Sequence, residues 1–111
     1  MTVRQTAEAL GLTLLCGDGD REISGVYVGD LLSRCMSRVT EGCLWITIMS
    51  NINAVAVAAL TDPACIVFCE DVEIDDVVLD RARENDIAFA KSRLDEYALC
   101  VAYHNACGVN Q

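Results

Sequence analysis

The run Cys43-Leu44-Trp45-Ile46-Thr47-Ile48-Met49 constrains this chain more than any other segment. Seven consecutive residues with one polar member leave no face for water. They predict a strand at the centre of a sheet with both faces covered. Ser50-Asn51-Ile52-Asn53 links this strand to residues 54–60, whose alanines and valines predict a helix buried on more than one side. Asp62-Pro63 stops that helix, because proline supplies no N–H and restrains the residue before it.

The flanking segments follow the same alternation. Thr2 stands at an N-cap position, Val3, Thr6, Ala7 and Leu10 recur at helical spacing, and Gly11 stops a short helix over 2–10. Residues 12–16 read as a strand, Gly17-Asp18-Gly19-Asp20 as a turn, and 22–28 as a second strand. Asp30 is placed to cap a helix over 31–39 with an apolar stripe of Leu31, Leu32, Cys35, Met36 and Val39. Residues 64–69 predict a strand. Asp75 or Asp76 opens a helix turning Val77, Val78, Leu79, Ala82 and Ile87 inward, and Asn85-Asp86 closes it. Residues 87–90 read as a last strand, and 94–107 as a helix with Leu94, Tyr97, Ala98 and Val101 inward and Cys100 beside them on that face. The ending Gly108-Val109-Asn110-Gln111 reads as frayed. Strands alternating with helices from residue 43 onward predict a small mixed α/β fold with a largely parallel sheet flanked by helices. The expected organisation is one domain over 1–111, with its core at about 12–107.

A chain of 111 residues buries roughly two-thirds of the surface it exposes unfolded, enough for one core. The 53% hydrophobic fraction excludes intrinsic disorder, and only 5% aromatic residues leave that core to Ala, Val, Leu, Ile and Cys. Seventeen acidic against 8 basic residues set the net charge at −9, which argues against nucleic acid and anionic membrane surfaces as partners. The N-terminus has no basic segment leading into an apolar one, so the chain is expected to be cytoplasmic. The uncharged stretch 42–61 carries Thr47, Ser50, Asn51 and Asn53 in its middle, which is costly in hydrocarbon.

Seven cysteines stand at 16, 35, 43, 65, 69, 100 and 107, with no CxxC. Cys65 and Cys69 on a strand lie about 13 Å apart. Cys100 and Cys107 on a helix are separated by about 10 Å of rise. Neither pair holds one ion, so no metal is expected, and the thiols read as small buried hydrophobes in a reducing compartment.

Signs of catalysis are sparse. The phosphate loop of nucleotide hydrolases is absent, and Lys91 is the only lysine. His104, the only histidine, falls late on the last helix. Gly17-Asp18-Gly19-Asp20 lacks the remaining ligands of a calcium loop. The acidic run Glu70, Asp71, Glu73, Asp75 and Asp76 reads as a solvated loop. Gly25-x-x-x-Gly29-Asp30 before a helix either lets backbone N–H groups approach an anion or is simply a turn. The central strand delivers Thr47, Ser50, Asn51 and Asn53 to its C-terminal end, where open α/β sheets collect ligands. Ser50, Asn51 and Asn53 serve equally well as caps of the next helix.

Three ordered motifs resemble the DRTGG domain family: Gly25-Val26-Tyr27-Val28-Gly29-Asp30-Leu31-Leu32-Ser33, then Trp45-Ile46-Thr47-Ile48, then Asn53-Ala54-Val55-Ala56-Val57-Ala58. The resemblance covers about 12–92 and is to stand-alone members. Asp20-Arg21 opens the name-giving pattern, which continues as Glu22-Ile23-Ser24-Gly25 in place of Thr-Gly-Gly. The resemblance implies similarity to the N-terminal domains of HPr kinase and of Mur ligases, regulatory placement beside CBS domains, and pairing as homodimers. In the Mur-like comparison, Ser33-Arg34 and the strand around Trp45 match a region lining a nucleotide site.

These strands lead to a non-enzymatic regulatory domain that binds a nucleotide or other small phosphorylated metabolite, with no cofactor. The candidate ligand-binding residues are Gly29, Asp30, Ser33, Arg34, Thr47, Ser50, Asn51 and Asn53. The alternative is a pure interaction module, dimerising or docking onto a larger redox or kinase partner.

Overall fold

A computed structural model describes residues 1–108; Val109, Asn110 and Gln111 of the expected frayed end lie outside the described residues. The elements in chain order are α1 (Val3–Leu10), β1 (Thr13–Cys16), β2 (Gly25–Val28), α2 (Leu32–Arg38), β3 (Cys43–Thr47), α3 (Ile52–Thr61), β4 (Cys65–Phe68), α4 (Asp76–Glu84), β5 (Phe89–Lys91) and α5 (Glu96–Ala106). The strands form one sheet in the order β1-β5-β4-β3-β2, parallel from β2 to β5, with β1 antiparallel on β5. This is the expected mixed, largely parallel α/β architecture.

Each central strand is buried on both faces, and the period of two sorts its side chains into two layers. Cys43 and Trp45 of β3, Ile66 and Phe68 of β4 and Phe89 of β5 meet Cys35 and Val39, the α3 residues Ala54, Val55, Val57 and Ala58, and Val78 and Ala82 of α4. Leu44, Ile46, Cys65, Val67 and Ala90 meet Val3 of α1 and Leu99 of α5 on the opposite face. Phe68 and Phe89 touch edge to face at 4.8 Å. Trp45 is fully buried, with its indole N–H donating to the Gly29 carbonyl at 3.1 Å. Gly17 turns the chain after β1 with φ 99°, and a Cβ there would lie 2.2 Å from the Ala88 Cα, so no other residue fits.

Several expectations need correction. The segment 22–28 is strand only from Gly25; Glu22 makes a single bridge to Thr2. Helix α2 opens at Leu32 with Leu31, not Asp30, at the cap position, and Leu31 and Met36 are exposed. Helix α3 buries one broad face, with Leu60 74% exposed, because its outer side meets no other layer. Val77 is exposed at the start of α4, and β5 begins at Phe89. The inward face of α5 carries Leu99, with Cys100 and Tyr103 partly buried against the same cluster; Tyr97 is 80% exposed and Val101 and Leu94 face outward. Cys35, Cys43, Cys65 and Cys69 are buried, whereas Cys107 is exposed.

Candidate ligand site at the C-terminal edge of the sheet

The β2–β3 pair continues one residue beyond β2, through the Gly29 N–H on the Ile46 carbonyl at 3.1 Å. The Gly29 carbonyl then accepts from Trp45, and the chain turns so that Asp30 crosses the end of β3. Its Oδ1 accepts from the Thr47 hydroxyl at 2.8 Å and from the Ile48 N–H at 2.9 Å. These bonds explain why Asp30 is not a helix cap and why β3 ends at Thr47. Thr47 is fully buried, and its Oγ1 also accepts from the Met49 N–H.

The remaining candidates divide. Ser50 donates its hydroxyl to the Glu73 carbonyl at 3.0 Å. Asn51 caps α3 by accepting from the Asn53 N–H at 2.9 Å, so its capping role is the one realised. Ser33, Arg34 and Asn53 are exposed. Gly29, Asp30 and Thr47 are thus joined in one network, and the others border it from α2 and the β3–α3 connection.

Glu96, in the first turn of α5, completes that network and was not foreseen. Its Oε2 is buried without a hydrogen-bond partner, and its carboxyl lies within hydrogen-bonding reach of Asp30. Two carboxylates at that distance repel, and one shared proton removes the conflict. Burial first, then the Asp30 hydrogen bond and charge and the Glu70 charge, push Glu96 up to about 7. Burial works against charge on Asp30, yet the bonds from Glu96, Ile48 and Thr47 prevail and hold its carboxyl below the ordinary range. Cys69 beneath the pair is pushed up to about 12 by burial and by these carboxylates, so its thiol stays protonated. The sequence signal for Glu96 was its spacing of three and four from Leu99 and Cys100, the true inward face of α5.

The other half of the same edge differs in sign. Because β1 runs antiparallel to β5, the start of β1 meets the end of β5. Beside that junction opens a cleft of about 600 Å³, lined by Leu10, Thr13, Asp71, Lys91, Arg93 and Leu94 among others. Lys91 pairs with Asp71 at 3.3 Å. A separate groove of about 440 Å³ runs between β2 and α5, walled by Val26, Val28, Tyr97, Val101 and His104, with no carboxylate in its lining. Among the described residues no group of three or more His, Cys, Asp or Glu is placed to hold a metal, and no helix is long and apolar enough to cross a membrane.

No family model and no curated protein matches this sequence. Among solved structures, the chain is similar to the crystal structure of the CBS and DRTGG domains of the regulatory region of Clostridium perfringens pyrophosphatase, complexed with its activator, diadenosine tetraphosphate. The TM-score is 0.75 at 11% identity, over 95% of this chain and 46% of that one, so the chain spans less than half of that structure. At such low identity the likeness speaks for the backbone alone, and the backbone is that of a CBS/DRTGG-type α/β fold.

Proposed function

We propose that this chain is a single, non-enzymatic DRTGG-like regulatory domain of the cytoplasm that senses a nucleotide or other small phosphorylated metabolite at the C-terminal edge of its sheet. What carries this reading is the fold shared with a regulatory region captured with a nucleotide activator. Kinship with the N-terminal domains of HPr kinase and Mur ligases belongs to the same proposal. On the β2–β3 side, Asp30 is tied to Thr47 and Ile48 just after Gly29, while Ser33, Arg34, Ser50, Asn51 and Asn53 on the neighbouring segments carry groups able to hydrogen-bond a ligand. Among the described residues no pair stands as nucleophile and base, which favours sensing over turnover. The test is a thermal-shift screen of nucleotides and phosphorylated metabolites. A ligand at 100 times its Kd adds about 2.7 kcal/mol, or about 10 °C in Tm for a domain of this size. A panel that leaves Tm unmoved overturns the reading.

One observation favours homodimerisation alongside it. Among the described residues nothing pairs with the outer side of edge strand β2, and the adjoining apolar groove lacks carboxylates in a chain of net charge −9. A second copy brought there buries Val26, Val28 and Tyr97 without opposing acid to acid. Native mass spectrometry distinguishes a dimer from a monomer or from a complex with a larger redox or kinase partner.

A further inference from the structure

We propose that the cleft beside the junction of the end of β5 and the start of β1 holds the phosphoryl group of a phosphate monoester, gripped by Lys91 and Arg93, with the non-polar body of the ligand against the leucines of the wall. This rests on the phosphorylated-ligand reading above and assigns it residues on the β5–β1 side of the same edge.

Half of the 8 Lys and Arg side chains of the chain are committed elsewhere. Arg4, Arg21, Arg81 and Arg83 pair with Asp20, Asp62, Glu84 and Asp80. Among the described residues Arg34, Arg38 and Arg93 have no carboxylate partner, and of these Arg93 lines the cleft. Lys91, the sole lysine, adds a second positive charge with its side chain only 24% exposed. Asp71 neutralises one of the two, so the lining keeps one surplus positive charge in a chain that is otherwise strongly negative.

Asp71 is built into that place. Glu70 and Asp71 both adopt left-handed backbone, with φ 61° and 52°. Their N–H groups donate to the Leu94 and Ser92 carbonyls at 2.9 Å, tying the turn after β4 to the β5–α5 connection. The Asp71 backbone is thereby fixed where its carboxylate stands 3.3 Å from the Lys91 ammonium. A phosphate dianion is a better partner for Lys91 than one carboxylate oxygen at 3.3 Å, and Arg93 supplies planar donors for the same group. The Thr13 hydroxyl lies on the same wall, while Leu10 and Leu94 make the rest apolar. A cavity of about 600 Å³ suits a small ligand of this divided character. The carboxyl pair of Asp30 and Glu96 makes the β2–β3 side the poorer seat for the same anion.

The experiment is an amide NMR titration of the full chain with AMP, with inorganic phosphate, and with sodium chloride at matched ionic strength. AMP is expected to shift residues 10–13, 71 and 91–94. Arg93→Gln is expected to weaken AMP at least tenfold, and Asp71→Asn to tighten it severalfold by releasing Lys91. AMP shifts confined to 30–53 and unchanged in Arg93→Gln overturn the cleft assignment and leave the phosphorylated-ligand reading standing. Equal affinity for AMP and inorganic phosphate marks an adventitious anion only and overturns the monoester. No shift beyond that of sodium chloride anywhere overturns both.

Discussion

Replacing Glu96 by Gln tests the carboxyl pair directly, because the amide donates to Asp30 at every pH and carries no charge. In the wild type the folded chain holds a proton on Glu96 up to about pH 7, while the unfolded chain releases it near the ordinary value of 4.5. A raised carboxyl pKa costs stability as pH rises: nothing is lost below the unfolded value, the loss grows across the window, and it is complete above the folded value. That gap, at about 1.4 kcal/mol per pH unit, bounds the cost at about 3 kcal/mol. Glu96 is only partly buried, so solvent screening reduces this to about 1–2 kcal/mol. Asp30 titrates below its ordinary range and loses its contribution only as pH falls below that window, so the two effects separate. Urea denaturation followed by the single, fully buried Trp45 should therefore show Glu96→Gln nearly equal to wild type at pH 4.5. At pH 8 the variant should be about 1–2 kcal/mol more stable, or about 4–8 °C higher in Tm. In an Asp30→Asn background the gain should shrink, since the repelling charge is gone. A stability difference that is the same at pH 4.5 and pH 8 refutes the shared proton.

Gly17→Ala should cost at least about 2 kcal/mol, since the turn at φ 99° has no space for a Cβ against Ala88, and a Tm within about 2 °C of wild type contradicts this. Val28→Lys places a charge in the groove beside edge strand β2; if the proposed homodimer forms there, sedimentation should show it replaced by monomer with unchanged circular dichroism. Trp45→Phe removes the donor to the Gly29 carbonyl and leaves a partial cavity, which should cost about 2–3 kcal/mol by chemical denaturation followed by circular dichroism.

The sheet was legible because burial on both faces leaves a run such as 43–49 no alternative, and because Pro63 and Gly11 punctuate the chain locally. The face of α5 was not. Apolar residues surround that helix almost uniformly, so helical spacing fits Leu94, Tyr97 and Val101 as well as Leu99, Cys100 and Tyr103. Only the position of the helix over the sheet chooses between them. Asp30 looked like a cap because capping is a local rule, whereas its bonds to Thr47 and Ile48 depend on the β2–β3 pairing. The Lys91–Arg93 cleft had no local signature, since it exists only where β1, about eighty residues earlier, runs antiparallel to β5.

The five residues 92–96 belong to both halves of the edge, and this couples them. Ser92 and Leu94 anchor the turn after β4, Arg93 faces the cleft, and Glu96 meets Asp30. A phosphoryl group seated at Arg93 adds negative charge three residues along the chain from Glu96, and negative charge favours its protonated form. By reciprocity, whatever anion binding does to that proton, the proton does to anion binding. With the phosphate in the cleft, AMP binding near pH 7, where Glu96 is about half protonated, should draw a fraction of a proton onto the protein. Calorimetry in buffers of different ionisation enthalpy reads that fraction. The phosphate's own titration contributes equally to wild type and to Glu96→Gln, so the difference between the two isolates Glu96. A proton count identical in the two proteins breaks the coupling and leaves the cleft and the carboxyl pair as independent features of one edge.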